Sequence, residues 1–348
     1  MKEITFEKSL EFDNPLYVDV RSPGEYLEDH IPGAVNLPIF DNDERKEVGT
    51  LYKVVGRETA VIRGTEIGGR RIGDIINRLA EERGREIVIY CARGGMRSSS
   101  VASLVNALGI GTCRIIDGYK SYRRYVNSRL SSVKFKPRVF VLQGLTGAGK
   151  TGILKLLKNS IDLEGMAGHR SSVFGGIGLA VNTQKYFETQ LLSRIDALEN
   201  EAYVVIEGES KKIGNLNIPE NIFAQMKDAP VIYIDTPLER RIAIIRDEYA
   251  RFGEHERIIE IVNSLRGKIG HKKADTLAEL YESGKIDEFI EILLLEYYDV
   301  LYRHTLDKLE YLSIIRNDDT AQAASDVEKT IHEYLGKHQE ISSTNYNN

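Results

Sequence analysis

The spacing of apolar residues changes several times along the chain, and each change marks an element. Between residues 16 and 118, short apolar runs alternate with amphipathic stretches, the pattern of a parallel sheet covered by helices. The predicted strands are Leu16–Val20, Ala34–Leu37, Glu86–Cys91 and Cys113–Asp117. Between the second and third, the stretch from Gly68 to Gly84 sets Ile72, Ile75, Ile76 and Leu79 at helical spacing, with Gly84 at its C-terminal end. From Gly118 to Arg138 come seven Lys/Arg and three Tyr without an acid, and Pro137 marks the end of the run. The α/β pattern then restarts, with a strand at 138–143, a helix from about 149, and strands at 203–207 and 230–235. Beyond Pro237 the chain reads as helical and strongly charged, and the closing HQEISSTNYNN reads as a polar tail with no core to join.

The expected architecture is therefore α/β in two parts. A parallel-sheet domain occupies 1–136, with the basic run as its linker, and a second α/β domain with a helical C-terminal region occupies 137–340, before a tail at 341–348. The length of 348 residues fits two or three domains at roughly 100 to 200 residues each. With 47 Lys+Arg against 52 Asp+Glu the net charge is −5, so any surface for a polyanion must be local. Cys91 and Cys113 are the whole cysteine complement, too few for a disulfide framework, and a reducing, cytoplasmic setting is expected. Acidic residues stand where a signal peptide needs an apolar run, and no stretch of about 18 apolar residues occurs, so neither secretion nor membrane spanning is expected.

Two loops carry candidate chemistry. The strand EIVIY ends in Cys91-Ala92-Arg93-Gly94-Gly95-Met96-Arg97-Ser98, followed by a helical stretch. A cysteine between a strand and a helix N-terminus meets successive backbone N–H groups and the positive end of the helix dipole, which stabilise a thiolate and an anion beside it. Gly94 and Gly95 let the loop wrap, while Arg93 and Arg97 add fixed positive charge. In the second loop, GLTGAGKT (Gly144 to Thr151) fits G-x-x-x-x-G-K-[ST] and follows an apolar strand. The N–H groups around Gly144, Gly147 and Gly149 would cradle a diphosphate that Lys150 neutralises, and Thr151 with Glu207 would hold any Mg²⁺. Glu207 and Glu209 end the strand AYVVIEGES, where an Asp is more usual.

The first domain resembles a rhodanese. DVRSPGEYLEDHIPGAVNLP (Asp19 to Pro38) matches the early rhodanese pattern, and Cys91 falls at the persulfide-forming position. Ser22-Pro23-Gly24-Glu25 also reads as a capping box. One feature departs from common rhodaneses: the loop arginine is the sixth residue after the cysteine rather than the fifth. Loops of that length resemble rhodanese-fold phosphatases, which implies a phosphate-sized anion. A rhodanese-like domain fused ahead of a P-loop NTPase-like domain is similar to the bacterial tRNA 2-selenouridine synthase family. Further matching stretches are VGTLYK (Val48–Lys53), GYKSYRR (Gly118–Arg124), HRSSVFGG (His169–Gly175 onward), IEGESKKIG (Ile206–Gly214) and YYDVLY (Tyr297–Tyr302).

That resemblance implies a transferase that replaces the sulfur of wobble 2-thiouridine (U34) by selenium through an S-geranyl intermediate. Its substrates are geranyl diphosphate at the P-loop and selenophosphate at the cysteine loop, with Mg²⁺ at most and no tightly bound cofactor. Within that scheme Cys91 is expected to attack the selenium of selenophosphate, giving a selenyl-sulfide with phosphate leaving, and Arg93 and Arg97 are expected to stabilise the departing phosphate. The partners implied are tRNAs for Lys, Glu and Gln and a selenophosphate supply system. Lys120, Tyr122, Arg123 and Arg124 in the basic run are the expected tRNA contacts, with a second basic stretch between Arg240 and Lys273 behind them. His169 to Ser172 is expected either to touch diphosphate or base, or to be structural. Two other classes are open: a rhodanese-fold sulfurtransferase or phosphatase fused to an ATP-dependent small-molecule kinase, suggested by TPLERR (Thr236–Arg241), and a non-catalytic RNA-binding module.

Overall fold

The computed structural model describes residues 2–249 and 254–344 and divides into two compact units. The first comprises Met1–Ser132 with Lys185–Ser193, and the second Val133–Gln184 with Arg194–Asn348. Sequence patterning placed a single boundary near Lys136 and left 185–193 in the second domain. Local helical spacing does not reveal which core a helix joins.

In the first unit, β1 (Lys2–Ile4), β2 (Leu16–Asp19), β3 (Val35–Asn36), β4 (Ile87–Tyr90) and β5 (Thr112–Ile115) form a parallel sheet in the order β1-β5-β4-β2-β3. Its helices are α1 (Phe6–Ser9), α2 (Pro23–Glu28), α3 (Asn42–Val54), α4 (Arg57–Ala80), α5 (Met96–Ala107) and α6 (Tyr119–Ser132). Strand β4 is buried at every position, as a central parallel strand must be. The helical spacing in α4 carries Ile75 and Leu79 into the core against Val18 and Ile89, with Ile72 and Ile76 at its margin. The Asp-x-Arg motif is a fastening: buried Arg21 donates to both carboxylate oxygens of buried Asp19 and, at 2.7 Å, to the Asp29 carbonyl. Asn36 closes the same knot by donating to the Asp19 and Arg21 carbonyls at 2.9 and 3.0 Å.

The second unit opens with β6 (Arg138–Gly144), α7 (Lys150–Leu156), β7 (Ser160–Ile161), α8 (Leu163–Ala167) and α9 (Gln184–Ala197), the last reaching into the segment grouped with the first unit. There follow β8 (Tyr203–Glu207), the β9 (Lys212–Ile213) and β10 (Leu216–Asn217) ribbon, α10 (Glu220–Lys227) and β11 (Val231–Asp235). The charged region is helical: α11 (Leu238–Tyr249), α12 (His255–Ser264), α13 (Arg266–Ile269), α14 (His271–Glu282), α15 (Ile286–Leu293), a π-helical turn over Leu294–Tyr298, and α16 (Asp299–Leu306). Last come β12 (Tyr311–Arg316) and α17 (Thr320–Thr344). The parallel order β12-β11-β6-β8-β7 places β6 at the centre, so the loop after it opens at the C-terminal edge where such sheets bind ligands. Helix α17 continues through Thr344, so 341–344 is not the structureless tail expected: an established helix gains one backbone bond per added residue. No described helix is long and apolar enough to cross a membrane.

One buried ion pair joins the phosphate loop to the helical region of this unit. Arg241 of α11 donates to both oxygens of Asp299 at 2.9 and 2.6 Å and to the Thr146 carbonyl at 2.9 Å. Removing one partner of such a pair strands the other charge without solvent. Asp299→Ala should therefore cost about 3 to 5 kcal/mol of unfolding free energy, measured by urea titration; an unchanged midpoint would show that the pair is replaceable by water.

Candidate active sites

Cys91 directly follows β4 and is 3% exposed. Its Sγ lies 3.2 Å from the Ser98 hydroxyl, which in turn donates to the Gly95 carbonyl at 3.2 Å. Backbone packs on backbone here: a Cβ at Gly118 (φ +54°) would stand 2.0 Å from the Cys91 carbonyl oxygen, and one at Gly94 (φ +58°) would stand 2.8 Å from the Asp117 nitrogen. Only glycine satisfies both the left-handed backbone and that clearance. Arg97 donates to both oxygens of Glu25, at 2.6 and 3.2 Å, and the Ser22 N–H reaches the same carboxylate at 3.2 Å. The expected capping box is present, and its Glu25 also holds Arg97. Burial opposes the Glu25 charge, but the Arg97 hydrogen bonds and charge, the Ser22 N–H and Arg45 outweigh it and lower its pKa to about 2. Arg93 is exposed. Cys113, on β5, is 6% exposed, and burial raises its thiol pKa.

The second loop joins β6 to α7, with Gly147 and Gly149 left-handed at φ +77° and +78°. Arg241 holds the Thr146 carbonyl, while Thr236 and Asn317 each donate to the Ala148 carbonyl at 2.9 Å. In a planar trans peptide the C=O and the following N–H point in opposite directions, so the Gly147 and Gly149 N–H groups are turned away from these anchors. Lys150 Nζ lies 3.4 Å from the Gly144 carbonyl and 4.0 Å from the Glu209 carboxylate.

Three carboxylates converge beside this lysine. One oxygen from each of Glu164, Glu207 and Glu209 lies within 4.8 Å of the others. Fully buried Glu207 accepts the Glu164 N–H at 3.0 Å, and its other oxygen has no partner among the described residues. Burial and the Glu164 and Glu209 charges push the Glu207 carboxyl well up, and burial with Glu164 pushes Glu209 up to about 7. Converging oxygen ligands with one orphaned oxygen fit a hard divalent cation. Sequence reading named Glu207 and noted Glu209 but missed Glu164, which follows the two-residue β7 and carries no motif.

A cavity of about 610 Å³ runs from the P-loop, Lys150, Glu164 and Glu209 to an apolar wall that includes Phe174, Ile258, Tyr281, Phe289, Leu293 and Leu294. The wall was missed because its residues come from several elements. Ser171 and Ser172 line the cavity. His169 instead packs against Gly214, where a Cβ would meet its ring at 2.9 Å, and burial lowers its pKa, so it is structural.

The expected RNA helix points elsewhere. On α6, Tyr122 is buried and donates to Thr189 at 3.1 Å, while Arg123 is held by Asp29 at 3.4 Å, by Glu188 and by the Lys185 carbonyl. Tyr122 and Arg123 are therefore not tRNA contacts, because the tyrosine spacing that resembled a stacking platform serves the core. Arg124 pairs with Asp117 at 2.6 Å, and Lys120 is exposed. In the stretch from Arg240 to Lys273, Arg241, Arg246, Arg257, Arg266 and Lys273 all pair with acids, and Arg251 lies outside the described residues.

Comparison with known proteins bears on both units. A family model described as the tRNA 2-selenouridine synthase AAA domain matches residues 137–334, and a rhodanese-like domain matches residues 5–124. A tRNA 2-selenouridine synthase of Pseudomonas syringae pv. syringae (strain B728a) is 32% identical over 82% of this chain and 87% of its own. One from Chromohalobacter salexigens is 33% identical over 86% and 90%, respectively. The solved N-terminal domain of a Clostridium difficile 630 protein is 44% identical over 36% of this chain and 98% of its own, with a TM-score of 0.34.

The titration of Glu209 should show in ligand binding. Below pH 7 its carboxyl is neutral; above, it adds a negative charge beside Lys150. Metal-free affinity for inorganic diphosphate should thus fall as pH rises through about 7, and Glu209→Gln should flatten the dependence in calorimetric titrations from pH 6 to pH 8.5 (roughly the range over which such a group changes charge). An unaltered slope in the variant would assign the titration elsewhere.

Proposed function

The chain belongs to the tRNA 2-selenouridine synthase family, and from that premise we propose that it replaces the sulfur of wobble 2-thiouridine in tRNA by selenium through an S-geranyl intermediate. The observation that carries this reading is the continuity of the P-loop with an apolar wall in one cavity. A diphosphate esterified to a hydrocarbon chain has that polarity from end to end. Lys150 and the Gly147 and Gly149 N–H groups bind the diphosphate, and a divalent cation on Glu164, Glu207 and Glu209 would add positive charge to it. The thiouridine sulfur attacks C1 of the geranyl group, the C–O bond breaks, diphosphate leaves with the bonding pair, and the N3 proton of the base is released to the diphosphate. Arg241, Thr236 and Asn317 keep the loop carbonyls out of the way of that developing charge.

Selenium then comes from selenophosphate at Cys91. Attack on selenium, the step expected from the sequence, would leave the bonding pair on phosphorus and release phosphite. Attack by the Cys91 sulfur on phosphorus balances: an S–P bond forms, the P–Se bond breaks, and selenide leaves with the pair. Selenide adds at C2 of the base and expels geranyl thiolate, while water hydrolyses the phosphocysteine to phosphate. The six-residue spacing from Cys91 to Arg97 accords with a phosphate-sized pocket, and exposed Arg93 is free to meet the phosphate. Arg97 is already neutralised by Glu25 and acts by holding the loop. The preferred acceptors are the tRNAs for Lys, Glu and Gln, with a selenophosphate-producing system upstream.

Two substitutions separate the steps. Cys91→Ser should abolish selenation of geranylated tRNA while leaving S-geranylation intact, scored by mass spectrometry of nucleosides; equal loss of both in a folded protein would refute the division. Lys150→Ala removes a charge-assisted contact worth about 1.5 to 3 kcal/mol, so geranyl diphosphate should bind roughly 10- to 150-fold more weakly. That variant should lose S-geranylation but still convert pre-geranylated tRNA. S-geranylation in an assay without ATP would decide against the kinase alternative, which requires it, and an absolute need for ATP would favour it.

A further inference from the structure

In the first unit, a groove of about 1440 Å³ opens between α3, α4 and the cysteine loop, and Cys91 lines it. Six cations line the groove as well, Arg45, Lys46, Lys53, Arg57, Arg93 and Arg97, and no carboxylate does. That composition stands out in a chain of net charge −5. Glu25 neutralises Arg97 at 2.6 Å and lies 3.6 Å from Arg45. Lys46, Lys53, Arg57 and Arg93 have no ion pair among the described residues. Three of the four acids of α3 and its cap are engaged by other arginines, Glu47 by Arg63 and Asp41 with Glu44 by Arg71, and the fourth, Asp43, does not line the groove. One side of the helical hairpin is therefore left purely positive. On that side Tyr52 is 56% exposed and lines the groove. The stretch VGTLYK, which neither phosphate loop accounts for, forms this wall.

Unpaired cations cost stability through mutual repulsion, and an exposed tyrosine among them gains nothing from the core. Phosphates neutralise such cations, and an unstacked base lies flat on such a ring. We propose that the groove is the docking site for a single-stranded RNA segment, the anticodon loop of the tRNA substrate, which delivers its modified base to Cys91. Lys46, Lys53 and Arg57 hold successive phosphates, and Tyr52 stacks a base beside the reacting one. A duplex hides its base faces within its own stack, so the tyrosine selects a loop. The assignment rests on the selenation reading above, and it puts the RNA surface of this unit on the groove instead of on Tyr122 and Arg123 of α6.

The test measures binding of a thiolated anticodon stem-loop by fluorescence anisotropy across a salt series. The triple variant Lys46→Glu/Lys53→Glu/Arg57→Glu should bind roughly tenfold or more weakly, with a log–log salt slope smaller by about 2, since each single-strand phosphate contact contributes about 0.7. The charge-conserving Lys46→Arg/Lys53→Arg/Arg57→Lys variant should keep the wild-type constant, which separates charge from folding. Tyr52→Ala should weaken loop binding several-fold, and Tyr52→Phe should restore it. Wild-type affinity and slope in the charge-reversed protein, or equal affinity for a fully paired duplex of the same length, would overturn the groove assignment. Wild-type protein that binds the stem-loop yet never selenates the geranylated tRNA would overturn the catalytic reading and leave the groove standing.

Discussion

Both reactive loops depend on left-handed glycines packed against their neighbours more closely than a side chain permits. In the first unit the Cys91–Gly94 turn lies directly on the Asp117–Gly118 turn, and a methyl group at either glycine would overlap main-chain atoms. In the second, left-handed Gly147 and Gly149 pack the phosphate loop against Arg241, Ile245 and Asn317. The constraint serves one end: a loop whose carbonyls are bonded outward presents N–H groups inward, and a bound anion then meets donors already in place. The buried pairs Asp19–Arg21 and Arg241–Asp299 hold the surrounding chain so that the turns cannot relax.

The loops differ in how they handle charge. Around Lys150 three carboxylates converge in a buried space, so acids outnumber the single cation at that point. An anionic ligand there gains from a cation or from protonation of Glu209, which links binding to pH and metal. Around Cys91 the balance is opposite, with Glu25 committed to Arg97 and the groove beyond it free of acids. A small anion and a polyanion can both be held there without a counter-ion. The two chemistries proposed for the chain differ in the same sense, since one expels diphosphate and the other must seat RNA beside Cys91.

Residues consecutive in the chain determined the sites that could be read from sequence. Strand, glycines, cysteine or lysine, and helix follow one another within a single turn, so Cys91, Gly94, Lys150 and the strands beneath them were legible with no knowledge of the rest. The tertiary structure decided which groups from distant segments meet. Glu164 joins Glu207 and Glu209 only because β7 lies beside β8, and the apolar wall of the P-loop cavity gathers residues between Phe174 and Leu309. It also decided which charges are free, because counting Lys and Arg along a segment says nothing about the acids folded against them. Tyr122 and Arg123, in the most basic run of the chain, are buried among partners, whereas Lys46, Lys53 and Arg57, interspersed with acids in sequence, face a groove from which those acids have been drawn away.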